Sequence, residues 1–244
     1  VKKSYIYGLH AVSAKLAAAA KDSQLFVVST RQDERVKKCM EMADARGIRV
    51  SLIEHEALDA MVKGRHQGVV LSVTKNIKTK SERELFNYLA GLEQQALLLV
   101  LDGVTDPHNL GACLRVADGA GADAVIVPKA NSAKLTAAAE KVASGAVESV
   151  NYFQVANLAR VLKKLADVGF YIIGTDDKAT MDIYAEKLTG NLALVLGAEG
   201  SGMRRLTKEH CQNLVSIPMR GKVGSLNVST AAAVVLYEAL RQRR

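Results

Sequence analysis

The chain has 244 residues, of which 33 are Lys or Arg and 25 are Asp or Glu, and 49% are hydrophobic. Its formal charge is +8 and its pI about 9.4. These values exclude an acidic or largely disordered chain and allow one large folded domain or two small ones. No apolar run nears the roughly 18 residues of a membrane span, and charges interrupt the first twenty residues where a secretory signal would need an apolar core. A soluble, cytoplasmic protein with no membrane partner is expected. Cys39, Cys113 and Cys211 are odd in number and lack redox or zinc spacing, so reduced thiols are expected. His10, His55, His66, His108 and His210 show no metal-ligand spacing, and no metal is expected.

The charge is uneven. Residues 1–75 hold 13 basic and 8 acidic side chains, whereas 92–244 hold 17 and 15. A basic first third on a nearly balanced remainder suggests a polyanion-binding module joined to a working domain, with a plain solubility surplus as the alternative.

In chain order, GLHAVSAKLAAAA (8–20) is Ala-rich and reads as a helix, and QLFVVST (24–30) as a strand. DERVKKCMEMADARG (33–47) is amphipathic, with Val36, Met40, Ala43 and Ile48 on one side and Gly47 as a stop. RVSLI (49–53) is a strand, 54–63 a short helix and GVVLSV (68–73) a third strand. Residues 1–74 thus form a small α/β domain. Residues 75–91 lose the rhythm and read as a linker, with LFNYLAGL a candidate docking helix.

Residues 92–244 are regular α/β. Strands are expected at 96–102, 123–128, 150–155, 170–176, 192–197 and 214–219, with helices at 110–121, 132–146, 157–169 and 226–243. Strands alternating with helices imply a mainly parallel sheet. The last helix carries a broad stripe of Val228, Ala231, Ala232, Val235, Leu236 and Leu240. The stripe can face the domain's own core or a partner subunit; a homodimer is the preferred reading.

Three strings at strand ends carry chemistry: NLGACLR (109–115), LGAEGSG (196–202) and SLNVS (225–229). Asn109 reads as a helix cap. Arg115 lies six residues on, about 240° around a helix, so the two share no face unless Asn109 sits in the loop. Glycines at 197, 200 and 202 let a nucleoside-like ligand approach the backbone, or simply make a tight turn with Glu199 as a cap. The string is not a dinucleotide fingerprint, and no phosphate-binding P-loop is present. Ser225, Asn227 and Ser229 open the last helix. In the first domain His66 follows Lys63 and Arg65, a plausible phosphate contact, although a lone His at a strand start is commonly structural.

Together, in this order, the three strings resemble the SpoU family of RNA ribose 2′-O-methyltransferases within the SPOUT superfamily. With IYGLHAV, HQG and LDGVTDPHNLGACLR they are similar to its 23S rRNA guanosine-2′-O-methyltransferase subfamily, which acts on the peptidyl-tRNA-binding loop. The resemblance covers essentially the whole chain. It implies a C-terminal trefoil knot, S-adenosylmethionine held by Gly197, Ile217, Met219 and Leu226, dimerisation through the knotted region, and an N-terminal domain like those of ribosomal RNA-binding proteins. It implies a catalytic set of Arg115, Asn109, Glu199, Ser225 and Asn227, with Glu199 fixing Arg115 or the loop. Lys63, Arg65 and His66 would contact 23S rRNA. A guanidinium is nearly always protonated and a poor base, so electrostatic stabilisation of the developing alkoxide is the favoured role for Arg115. Competing readings are a tRNA or other rRNA site, a nonenzymatic RNA-binding protein, or another nucleotide-binding enzyme such as a dehydrogenase.

Overall fold

A computed structural model describes residues 3–17, 19, 23–31, 33–74 and 79–244. The chain divides into two compact units, Val1–Asn76 and Ile77–Arg244.

The first unit comprises β1 (Lys3–Tyr7), α1 (Leu9–Leu16), β2 (Gln24–Val28), α2 (Glu34–Asp44), β3 (Arg49–Ile53), α3 (His55–Met61) and β4 (Val69–Thr74). Its sheet runs β1-β4-β2-β3, antiparallel at β1–β4 and β4–β2 and parallel at β2–β3. Strand β1 is an addition to the three expected. Of its described side chains only Ile6 faces the main core, so no period-two pattern shows in the string. Asp33 caps α2 by accepting from Val36 N. Val36, Cys39, Ala43 and Ile48 lie in the core with Val12, Leu16 and Leu25.

The second unit begins within the expected linker. Lys80 pairs alongside Phe153, and α4 (Glu82–Ala90) opens on a capping box between Ser81 and Glu84. Leu85 is fully buried, with Phe86, Tyr88 and Leu89 packed on the same core. The candidate docking helix of 85–92 is present and begins one turn earlier than expected, so the linker boundary needs correcting: 79–91 belong to this unit.

There follow β5 (Leu97–Asp102), α5 (Pro107–Gly119), β6 (Ala124–Pro128), α6 (Ala137–Ala143), α7 (Ala146–Ser149), β7 (Asn151–Val155), α8 (Leu158–Asp167), β8 (Tyr171–Thr175), β9 (Met181–Asp182), β10 (Leu192–Gly197), α9 (Arg205–Glu209), β11 (Asn213–Ser216) and α10 (Val228–Gln242). The seven strands form one parallel sheet ordered β7-β6-β5-β10-β8-β11-β9. Alternation along β5 sends Leu97, Leu99 and Leu101 to the core under α5 and α10, and Leu98 and Val100 to the core under α4 and α8. Both faces are covered, so the strand reads as an unbroken apolar run. The helix expected over 132–146 is two. Thr136 caps α6, and Ser144 and Gly145, both at positive φ, break the chain before α7. Among the described residues no helix is long and apolar enough to cross a membrane.

All three cysteines are free thiols. Burial pushes the Cys113 and Cys211 thiols up to about 12 and raises that of Cys39. Thiolate is the reactive form, so the buried Cys39 and Cys113 are expected to resist a disulfide reagent at pH 8 and to react once denatured. A rapid native burst traced to Cys113 would contradict this burial.

Candidate active site

The cap of α5 is Asp106, whose carboxylate accepts from His108 N at 2.9 Å, with Pro107 in the first turn. Asn109 is therefore inside the helix, not at its cap as expected. Its Nδ2 donates to Glu199 Oε1 at 3.2 Å, and its Oδ1 accepts from Asn227 Nδ2 at 3.0 Å. Asn227 Nδ2 also donates to Glu199 Oε1, as does Val228 N at 3.3 Å. Asn227 Oδ1 caps α10, accepting from Ser229 N at 2.9 Å and Ser229 Oγ at 2.6 Å. One residue from each of the three strings thus closes into a single cluster, with one carboxylate oxygen taking three donors at a helix start.

The cluster borders a cleft of about 180 Å³ whose walls include Leu196, Val215, Ile217, Leu226 and Val228. Gly197, Met219 and Ser225 line it too. A β-carbon at Gly197 would overlap the backbone of Gly202 and Met203. That crossing is held by Ala198 N on Gly202 O at 3.1 Å and Gly202 N on Ala198 O at 2.9 Å. At Gly200, Gly202 and Gly224 a β-carbon would meet nothing within 4 Å, which leaves the cleft side of the loop open. Gly111 has a different job. A β-carbon there would strike the Ala139 carbonyl, so this glycine sets how closely α5 and α6 pack.

Two polar groups missed from the sequence fix the glycine loop. Asp102, fully buried at the end of β5, accepts from Arg204 N at 2.8 Å and from Arg204 Nε at 2.7 Å. A carboxylate closing a strand buried on both faces needs a partner, and that was the available signal. Asp176 and Asp177, after β8, also line the cleft; Asp176 pairs with Lys208, which holds its carboxyl below the ordinary range against the opposing pull of burial.

Arg115 is not drawn into the cluster. It is exposed on α5 and makes no hydrogen bond or ion pair among the described residues. Glu199 thus fixes the two asparagines and the start of α10, not Arg115. The stripe on α10 needs correcting as well. Val228, Ala232, Val235 and Leu236 are buried in the chain's own core, so the stripe itself calls for no partner.

In the first unit Lys63 and Arg65 are exposed, whereas His66 is only 4% exposed. His66 Nδ1 accepts from Gly68 N at 3.0 Å, which places the ring proton on Nε2, 3.0 Å from Asp59 Oδ1. With both nitrogens engaged, His66 is a structural histidine and not the expected RNA contact. Asp59 Oδ2 accepts from His55 Nδ1 at 3.0 Å. These bonds, from His66 first, hold the Asp59 carboxyl below its ordinary range. The trio could in outline hold a metal. The amide donated to His66 argues for a hydrogen-bonded relay instead, because a metal on Nε2 would require the ring proton to move to Nδ1, which already accepts from Gly68 N.

A parallel α/β sheet with a glycine-lined cleft and a polar cluster at its strand ends is the arrangement in which open α/β proteins hold small ligands. Residues 96–237 match the model of the SpoU rRNA Methylase family, and 5–78 match RNA 2′-O ribose methyltransferase substrate binding. The chain is 52% identical over 241 residues, covering 98% of each, to the 23S rRNA (guanosine-2′-O-)-methyltransferase RlmB of Photobacterium profundum. It is 50% identical over 240 residues, again 98% of each, to the Escherichia coli K12 protein of that name. Among solved structures, the SpoU methyltransferase AviRb from Streptomyces viridochromogenes in complex with AdoMet shares the fold at 20% identity and TM-score 0.69, covering 98% of this chain and 90% of that one. The chain belongs to the SpoU rRNA methylase family.

Proposed function

We infer that this chain transfers a methyl group from S-adenosylmethionine to the ribose 2′-hydroxyl of a guanosine in 23S rRNA. The observation that carries this reading is the closure of Asn109, Glu199 and Asn227 on the rim of a cleft, in a chain half-identical over its length to enzymes of that name. The cleft suits the cofactor. Apolar walls at Leu196, Ile217 and Leu226 fit an adenosyl group, and the open glycine backbone leaves room for its polar end. Gly197, Ile217, Met219 and Leu226 are the proposed cofactor residues.

S-adenosylmethionine, when bound, supplies a methyl group already activated by its sulfonium. The protein's task is to align a weakly nucleophilic hydroxyl and ease the loss of its proton. The asparagines have most of their polar valence consumed, so they act by holding Glu199. The groups left open are Glu199 Oε2, Ser225 and Arg115. Arg115 is proposed to stabilise charge on the ribose oxygen, with Ser225 orienting ribose or phosphate. RNA recognition falls to residues 1–74, with Lys63 and Arg65 on phosphate, and catalysis to 92–244. Such a substrate implies a cytoplasmic location.

A homodimer fits this scheme through a strip separate from the buried stripe. Ala112, Val116 and Gly119 of α5 are partly or fully exposed, and the half-exposed Tyr237 of α10 lies against Gly119. Arg115 stands on that strip, turned about 120° from Asn109.

Calorimetry with S-adenosylmethionine, followed by mass mapping of treated 23S rRNA fragments, tests the reading. Saturable binding and one added methyl on a guanosine ribose are expected. Absence of binding would overturn it. Arg115→Lys is expected to keep cofactor binding and lose turnover; near-normal turnover would remove any special role for the guanidinium.

A further inference from the structure

The first unit presents two aromatic side chains that its own folding leaves unused. Tyr5 and Tyr7 are 37% and 40% exposed and lie on the same face of edge strand β1, since side chains alternate along a strand. Tyr7 stands opposite Val70, which belongs to the small core under α3, so both tyrosines share the α3 face of the sheet. The Tyr7 ring lies against Gly64, where an added β-carbon would come within 2.7 Å of it. Gly64 in turn lines a hollow of about 550 Å³ with Arg31, His55, Asp59, Arg65 and Gln67.

The polar groups around this hollow favour an anion. Arg65 and the neighbouring Lys63 are exposed and carry no ion pair among the described residues. Asp59, the carboxylate in the lining, is held by His66 and His55, and Asp33 pairs with Arg31 at 2.7 Å. Aromatic rings beside unpaired cations are what a single strand requires, because every base has a face to stack and every linkage a charge to meet. A duplex hides those faces and offers its phosphates and minor-groove 2′-hydroxyls instead.

We propose that Tyr5 and Tyr7 form a stacking shelf for unpaired bases of the RNA substrate, with Arg65 and Lys63 taking the adjacent phosphates, so that this unit selects unpaired over duplex RNA. The proposal rests on the RNA-substrate reading above and specifies how that substrate is held.

The test uses the full chain and measures fluorescence anisotropy with a short labelled oligoadenylate and with a duplex RNA of equal length. The wild type is expected to prefer the single strand. Tyr5→Ala and Tyr7→Ala are each expected to weaken single-strand binding about tenfold, leave duplex binding unchanged and leave the salt slope unaltered. Tyr7→Phe, which keeps the ring, is expected to bind as the wild type does. Arg65→Ala is expected to weaken both RNAs and to reduce the salt slope by about one. Equal loss on single strand and duplex, no loss in the alanine variants, or a wild type indifferent to strandedness would overturn the shelf. Melting curves confirm that each variant is folded. Parallel cofactor titration and methylation assays separate the two readings. A chain that prefers single strands through its tyrosines but transfers no methyl sinks the enzyme reading alone; one that methylates with tyrosine-independent binding sinks the shelf alone.

Discussion

Gly197→Ala is expected to lose about 3 kcal/mol or more of stability, and cofactor binding with it. The added methyl would enter the backbone of Gly202 and Met203, not the tip of a mobile side chain. That backbone cannot retreat cheaply. Ala198 and Gly202 are bonded to each other in both directions, and two residues on Arg204 is fastened to the buried Asp102 through its amide and its guanidinium. Gly200→Ala provides the comparison. Its φ of +77° disfavours a side chain, but the space around it is open, so a loss of only about 1–2 kcal/mol is expected. Denaturant titration of both variants, with calorimetry on whatever folds, checks the ranking. A Gly197→Ala protein within 1 kcal/mol of the wild type would show that the loop is free to shift.

Glu199→Ala is expected to reduce turnover at least about 100-fold while costing about 1–2 kcal/mol of stability. The modest stability cost follows from its exposed position on the rim. The large kinetic cost follows from losing the open Oε2, which the two asparagines and the first amide of α10 hold in place through Oε1. Glu199→Gln separates charge from geometry. A glutamine oxygen can still take the three donors, while its amide nitrogen replaces the open Oε2. This variant is expected to melt like the wild type and to bind cofactor normally, yet to lose kcat with little change in KM. A glutamine variant with turnover within about threefold of the wild type would reduce Glu199 to a purely geometric part.

Much of the larger unit was legible because its strands are buried on both faces and stand out as unbroken apolar runs, as in LLLVLD. Three kinds of feature were not. Strand β1 shows too little periodicity in so few residues, and only pairing reveals it; helix α4 was seen as LFNYLAGL, but not its first turn. The break at Ser144 and Gly145 depends on left-handed backbone inside an Ala-rich string that by propensity continues as helix. Burial reverses the surface reading of a polar residue, as at His66, or of an apolar stripe, as on α10. The candidate site was legible as three motifs in order. What escaped was the assignment of partners: Asn109 looked like a cap until Asp106 took that place, and Glu199 was open to either Arg115 or the loop as its partner. Spacing along a helix bars Asn109 and Arg115 from one face, but only the three-dimensional closure shows which of them joins the cluster.

Asn227 belongs to two structures at once, as the cap of α10 and as a member of the cluster on the cleft rim. The first turn of the C-terminal helix therefore cannot fray without opening the rim of the cleft, because one side chain closes both. Local melting of that helix start and loss of the cluster are a single event.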